Sequence, residues 1–382
     1  MTETTATDTE SPNRVSMQAR AERLRAKART LPVYAGEAAI IDAVRNHQVV
    51  VIEGPTGSGK TTQLPQMIRE AGITDKVIGL TQPRRIAAIS VCWRIAEEQG
   101  CEVGTDVGYT IRFDDKSSGA TKIKVMTDGI LLQHAREQPE FDDYGVIIID
   151  EAHERSLNID FLLGLLHRSV CARADLRVII SSATIDPEHF VRFFDGVGTT
   201  VPKVHIDARP HPVEIRYEVP RSSAPEDVLD GAAWEVEAIC MSGMPGHVLV
   251  FLSGEAAIRG VSQRLTNMGI DRQAEILPLY GALKREDQER IFAELGRRKV
   301  VLTTNIAETS ITIPGVRFVV DSGVAKVPRV TPQTGVRTLR EEQISRASAD
   351  QRAGRAGRTA PGIAVRLYPR HVYEDAPRFT TE

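Results

Sequence analysis

The sequence predicts an α/β protein of two tandem lobes, each a mostly parallel sheet flanked by helices. Three observations carry this. From Ala39 onward, short β-rich runs alternate with longer helical stretches. The alternation pauses at RPHPVEIRYEVPRSSAP (209–225) and then resumes. A glycine-lysine turn occurs in the first half alone, in VVVIEGPTGSGKTT (49–62). At 382 residues, 41% hydrophobic and 26% charged, the chain has room for two domains with separate cores.

In chain order, Met1 to Asn13 is polar, rich in threonine and too poor in apolar groups to pack. Arg14, Arg20, Arg23, Arg25, Lys27 and Arg29 follow on a helical stretch, which reads either as a solvated face or as a nucleic-acid contact. Residues 1–32 are therefore expected to be a disordered or basic helical tail. The runs VVVIE, KVIGLTQ, KIKVMT, VIIID and RVIISSA are the strands of a first domain over 33–205. The prolines of 209–225 read as a link. HVLVFLS, EILPLY, KVVLTTN, VRFVVDS and AVRLYP then supply the strands of a second domain within 206–382.

A net charge of −3 argues against wholesale coating of nucleic acid and leaves a local basic stripe open. Cys92, Cys101, Cys171 and Cys240 form no C-x-x-C pair, so neither a zinc site nor a disulfide framework is indicated. They are expected to be buried small residues in a reducing cytoplasm. The apolar runs are short and the opening MTETTATDTESPNR has no h-region, so no membrane segment is expected.

The first chemical group is the turn itself. Val49 to Ile52 read as a buried strand and the segment after Lys60 as a helix, so the turn delivers backbone N–H groups to a helix N-terminus, where an anion belongs. Gly54, Gly57 and Gly59 permit positive φ and close backbone approach; Thr56, Ser58 and Thr62 complete the cradle. Lys60 reaches β- and γ-phosphates, and Thr61 can place its hydroxyl on magnesium.

In VIIIDEAHERS, an apolar strand ends in Asp150 and Glu151. Carboxylates at a strand's C-terminal end beside a phosphate loop meet magnesium: Asp150 through water, with Glu151 orienting and deprotonating the attacking water. The alternative is a helix N-cap. The third group is SRASADQRAGRAGR (345–358), where Ser348 and Gln351 have the spacing of a capping box. Gln351, Arg355 and Arg358 then fall at i, i+4 and i+7, a stripe suited to arginine fingers or to a solvated basic face.

These stretches resemble the motifs of the DEAH-box helicases of superfamily 2, most closely the bacterial HrpA-type RNA helicases. GPTGSGKT is similar to motif I, TQPRR (81–85) to Ia, TDG (127–129) to Ib, DEAH (150–153) to II and SAT (182–184) to III. FLSGEAAI (251–258) resembles motif IV, TTNIAETS (303–310) V and QRAGRAGR (351–358) VI. The resemblance covers about residues 33 to 382. It implies two RecA-like domains with ATP and Mg2+ in the cleft between them, RNA across both, and 3′-to-5′ movement coupled to duplex unwinding.

It also assigns roles. Gln351 would position the lytic water, and Arg355 and Arg358 would be the fingers. Arg94 and Phe292 would sandwich the base, a stack that accepts other nucleoside triphosphates as well. Ser182, Thr184 and His153 would couple nucleotide state to domain closure. Arg84, Arg85, Arg112, Thr127, Asp128, Thr304 and Asn305 would contact single-stranded RNA, or RNA with a single-stranded 3′ end. Val324 to Ile344 resembles the family's strand-separating hairpin, with its turn at Pro332 to Gly335, although the residues alone fit a sheet edge equally well. A monomer is expected.

Two departures stand out. Pro55 lies where many relatives carry glutamate or alanine, which removes no phosphate ligand. APRFTTE ends where the family continues into further domains, so a truncated core is expected. A superfamily 2 DNA translocase and a nucleotide-gated binding module are the alternatives.

Overall fold

The computed structural model describes residues 12–183, 187–195, 200–207, 211–222, 224–281, 283, 290, 291, 293, 295–308, 313–330, 337–358 and 360–378. The chain folds as two compact units, Met1–Ala208 and Arg209–Glu382.

Among the described residues the first unit is built on an eight-stranded sheet. Its strands are β1 (Val49–Glu53), β2 (Val77–Gln82), β3 (Val107–Ile111), β4 (Asp114–Lys116), β5 (Ile123–Thr127), β6 (Tyr144–Ile149), β7 (Arg177–Ser182) and β8 (Lys203–His205). They lie in the order β4-β3-β5-β2-β6-β7-β1-β8, all pairs parallel except β3 with β4. The helices are α1 (Pro12–Ala28), α2 (Glu37–Asn46), α3 (Lys60–Glu70), α4 (Arg85–Gln99), α5 (Asp128–Glu137), α6 (Leu157–Ala172) and α7 (Pro187–Phe194).

Val50, Ile52, Leu80 and Ile148 pack into a core on one face of the sheet. Val49, Val51, Ile147 and Ile149 pack into a core on the other. A strand buried on both faces reads as an unbroken apolar run, which is why β1 and β6 are legible in the sequence.

In the second unit, β9 (Val213–Tyr217), β10 (His247–Phe251), β11 (Ala274–Leu279), β12 (Arg298–Thr303), β13 (Val316–Asp321) and β16 (Gly362–Arg366) form a parallel sheet in the order β11-β12-β10-β13-β16-β9. Helices α8 (Pro225–Met241), α9 (Glu255–Asn267), α10 (Arg346–Gly354) and α11 (Arg370–Asp375) accompany it. Strands β14 (Val324–Val330) and β15 (Arg337–Gln343) pair antiparallel as a separate two-stranded sheet. The hairpin is therefore no edge of the main sheet, and its turn lies outside the described residues. A two-point Arg329–Glu342 pair at 2.9 and 2.6 Å ties its strands.

Four expectations need correction. The proline-flanked link contains β9, an edge strand with mostly exposed side chains, and such a position tolerates flanking prolines that a central strand would not. The basic N-terminal stretch is helical as expected, forming α1, but it is no free tail: it packs on α4 with Ala21 and Ala28 buried. Among the described side chains, Arg20 pairs with Glu97, Arg25 donates to the Glu98 carbonyl, and just past the helix Arg29 pairs with Glu37 and Glu70. Of the cysteines only Cys92 is fully buried, and Cys171 is exposed on α6.

The fourth concerns α10. Its cap is Ser345, whose hydroxyl accepts from the Ser348 N–H, and its helical turns end at Gly354. Ser348 turns its own hydroxyl to Glu308. Among the described residues no helix is long and apolar enough to cross a membrane.

Candidate functional site

The C-terminal ends of β1, β2, β6 and β7 gather the first unit's polar side chains. Beyond β1, Gly57 (φ 87°) and Gly59 (φ 96°) occupy left-handed conformations that open the loop into α3. Gly54 is constrained by space instead, because a Cβ there would come 2.9 Å from Ile206. Lys60 is buried and curls across the loop: its ammonium donates to the Gly54 carbonyl, to the Pro55 carbonyl at 3.0 Å and to the Ser58 hydroxyl at 3.3 Å. Thr56 and Thr62 are half-buried beside it.

Asp150 follows β6 and is 2% exposed. Its carboxylate accepts from the Thr61 hydroxyl at 2.6 Å, the Gln82 amide at 2.7 Å and the Ser181 hydroxyl at 2.7 Å. Thr61 lies in α3, Gln82 ends β2 and Ser181 lies in β7, so three elements are tied to one acid. Neither Gln82 nor Ser181 stands out in sequence, because their partners are 68 and 31 positions away.

A hydroxyl and a carboxylate in contact suit a hard cation that keeps most of its ligands as water and phosphate oxygen. Thr61 and Asp150 thus fit magnesium.

Glu151 adopts φ 51°, a left-handed conformation unusual outside glycine and asparagine, which turns its carboxyl away from the strand direction. Burial pushes its pKa up, and His153 opposes the rise. The ring of His153 lies with Nε2 3.4 Å from the Glu151 carboxylate, while Nδ1 accepts from the Ala183 N–H at 3.2 Å. Nδ1 as acceptor puts the proton on Nε2, facing Glu151. The ring thereby joins DEAH to SAT. Ser182 donates to the Ala183 carbonyl at 2.8 Å, and Thr184 lies outside the described residues. Arg94, half-buried on α4, is held by Glu98 at 2.6 Å, and Phe292 is also outside the described residues.

The residues expected on the nucleic-acid side scatter along the first unit's loops. Arg84 pairs with Glu154 at 3.3 Å. Arg85 is exposed and donates to the Arg112 carbonyl at 3.1 Å. Thr127 is the residue before α5, and the Asp128 side chain is 3% exposed, which leaves its carboxylate little access to a ligand. In the second unit Thr304 and Asn305 are half-buried at a short 3₁₀ turn.

Burial lifts the Asp128 carboxyl to about 7; the neighbouring Thr81 hydroxyl opposes this, and Glu154 and Asp150 add to it. The folded pKa thus exceeds the unfolded value of about 4, and between the two the folded state binds the extra proton. Stability from this group is complete below about pH 4 and is lost as pH rises through about 7. The melting temperature of the wild type minus that of Asp128→Asn is expected to fall between about pH 4 and pH 8, and a flat difference would refute the shift.

The second unit's arginine segment departs from a single stripe. Gln351 lies on α10 and is half-buried, Arg355 caps its C-terminus and Arg358 lies beyond it, because the chain leaves the helix at Gly354. Arg355 is 3% exposed and donates to the Glu308 carbonyl at 2.8 Å. The sequence reading passed over Arg352. It is fully buried, pairs with Glu308 at 3.0 Å and Asp321 at 2.7 Å, and lies 4.9 Å from the centre of the Phe251 ring.

A glycine-rich loop whose lysine folds back over it and whose threonine meets a strand-end acid defines a P-loop nucleotide-binding protein. The profile of the DEAD/DEAH box helicases matches residues 34–192, and that of the helicase conserved C-terminal domain matches 233–360. The chain belongs to the DEAH-box helicases, and its two units are RecA-like domains.

It is 46% identical over 353 residues to the ATP-dependent RNA helicase HrpA of Escherichia coli (strain K12), covering 92% of this chain and 27% of that protein. It is 44% identical over 347 residues to the ATP-dependent RNA helicase HrpA of Borreliella burgdorferi, covering 90% and 42%. The crystal structure of the Escherichia coli DEAH/RHA helicase HrpB superposes with a TM-score of 0.84 at 36% identity, covering 92% of this chain and 44% of that one. The chain thus spans less than half the length of these relatives.

Proposed function

We propose that the chain is the motor core of an ATP-dependent RNA helicase that hydrolyses ATP, accepts other nucleoside triphosphates and moves 3′ to 5′ on single-stranded RNA. The observation that carries this reading is the convergence of Thr61, Gln82 and Ser181 on Asp150 at 2.6 to 2.7 Å beside the Lys60 loop. Phosphate oxygens would take over the contacts that the Lys60 ammonium makes with Gly54 and Pro55. Thr61 and Asp150 would hold magnesium, which when bound draws charge off the β- and γ-phosphates.

Glu151 would take the proton of the attacking water, and His153 would keep its carboxylate oriented. Gln351 would position that water, and Arg355 and Arg358 would meet the charge developing on the transferred phosphoryl group. Arg94 and Phe292 would stack on the base. Ser182, Thr184 and His153 would pass nucleotide state to closure, and the hairpin would split the duplex. Arg84, Arg85, Arg112, Thr127, Thr304 and Asn305 would follow the RNA backbone, giving affinity that falls with salt and little base preference. A monomer in a reducing cytoplasm fits this reading.

The test is steady-state ATP hydrolysis during titration with single-stranded RNA and, separately, single-stranded DNA at one low salt concentration. Stimulation severalfold by RNA and less by DNA is expected. Equal or greater stimulation by DNA would favour a DNA translocase, and a rate that neither polymer changes would remove the nucleic-acid assignment from this core.

A further inference from the structure

We infer that Phe113 is a stacking platform for a nucleobase of single-stranded nucleic acid. The inference rests on the nucleic-acid reading above and adds to it a contact with a base rather than with the backbone. Strands β3 and β4 pair with Ile111 opposite Asp114, so Arg112 and Phe113 alone form the turn between them. Phe113 has φ 69°. A second turn residue with positive φ is ordinarily glycine or asparagine, and a bulky aromatic there is strained.

The fold gains nothing in return. The ring is 90% exposed, so it buries almost no apolar surface. Strain at an exposed position that the fold does not reward points to a ligand.

The surroundings say which ligand. The Arg112 guanidinium lies 4.8 Å from the centre of the Phe113 ring, covering one face with a cation and enriching the pair for a flat π partner on the other. The turn is anchored to the start of α4 by Arg85, which donates to the Arg112 carbonyl at 3.1 Å. Tyr109 and Thr110 hold its base through Asp114 at 2.7 Å and Asp115 at 3.1 Å. The aromatic is therefore presented on a hydrogen-bonded hairpin with Arg112 against its ring and Arg85 bonded to the same turn, the combination of stacking surface and backbone-tracking charge that single strands require.

The test uses short single-stranded RNA carrying 2-aminopurine, whose fluorescence is quenched by stacking, with a DNA version as a second arm. Phe113→Gly suits the left-handed backbone, so its melting temperature should equal or exceed that of the wild type. Its affinity should fall about tenfold and its quenching disappear, while the dependence of log Kd on log salt keeps its slope because phosphate contacts are unchanged. Phe113→Tyr should retain both affinity and quenching. The same pattern is expected on DNA, since every base offers a π-face.

Wild-type affinity and quenching in Phe113→Gly would overturn this inference alone. So would a variant that melts well below the wild type, which would make the ring structural. Failure of the wild type to bind either polymer would overturn the nucleic-acid reading and this inference with it.

Discussion

Glu151→Gln is expected to lower the ATP hydrolysis rate by about 10²- to 10⁴-fold while leaving nucleotide affinity and melting temperature close to those of the wild type. Glutamine keeps the shape of the side chain and can still accept from His153 Nε2, which lies 3.4 Å from the present carboxylate. It cannot take a proton. Affinity should survive because, in the proposed site, the phosphate contacts belong to Lys60 and the loop backbone and the magnesium contacts to Thr61 and Asp150. Stability should survive because the substitution removes a buried charge whose pKa burial already raises.

The same shift fixes the pH dependence. A base with a raised pKa is protonated, and inactive, below a value that lies above the usual carboxylate range, so the acid limb of the rate profile should fall there. Single-turnover hydrolysis across pH, with equilibrium binding of a fluorescent ATP analogue, separates the two quantities. A variant that hydrolyses at the wild-type rate would remove Glu151 as the base.

Much of the first unit's site is legible in the sequence. GPTGSGKTT and VIIIDEAH each set an unbroken apolar strand against a polar turn, and a strand buried on both faces announces itself that way. What stayed hidden is non-local. Gln82 and Ser181 reach Asp150 only because β2, β6 and β7 lie side by side in the sheet.

Strand β9 escaped because an edge strand needs no continuous apolar pattern, and its prolines read as punctuation. The S-x-x-Q spacing points to Ser348 as the cap, but its hydroxyl is drawn to Glu308, a partner 40 positions away, and Ser345 caps the helix instead. Nothing in the one-dimensional pattern marks Arg352 as different from Arg355 or Arg358, since burial of a cation depends on where the compensating acids fold to.

Those acids make Arg352→Met the second large effect, this time on stability. The guanidinium is fully buried and bonds Glu308 through Nε at 3.0 Å, Asp321 through an Nη at 2.7 Å and the Val324 carbonyl at 3.3 Å. Methionine fills much of the volume and could pack against Phe251, but it leaves two carboxylates in a space that no longer holds a cation. Removing one partner of such a network costs about 3–5 kcal/mol, mostly through the uncompensated charge rather than the lost attraction. For a unit the size of Arg209–Glu382 that is a fall of roughly 6–20 °C in melting temperature.

The triple replacement Arg352→Met, Glu308→Gln, Asp321→Asn should recover part of the loss, because it removes the stranded charges along with the cation. Lysine at 352 should fall between, keeping the charge while losing the fork that meets both acids. If Arg352→Met melts with the wild type, Glu308 and Asp321 must find other partners. If the triple variant melts no higher than Arg352→Met, shape rather than charge sets the cost. A functional consequence follows from position. Glu308 accepts from Arg355 through its carbonyl, and Asp321 accepts from the Gly323 N–H at 3.0 Å, at the root of β14. Loosening Arg352 therefore disturbs the proposed finger and the hairpin together, and hydrolysis should fall at temperatures well below the melting transition.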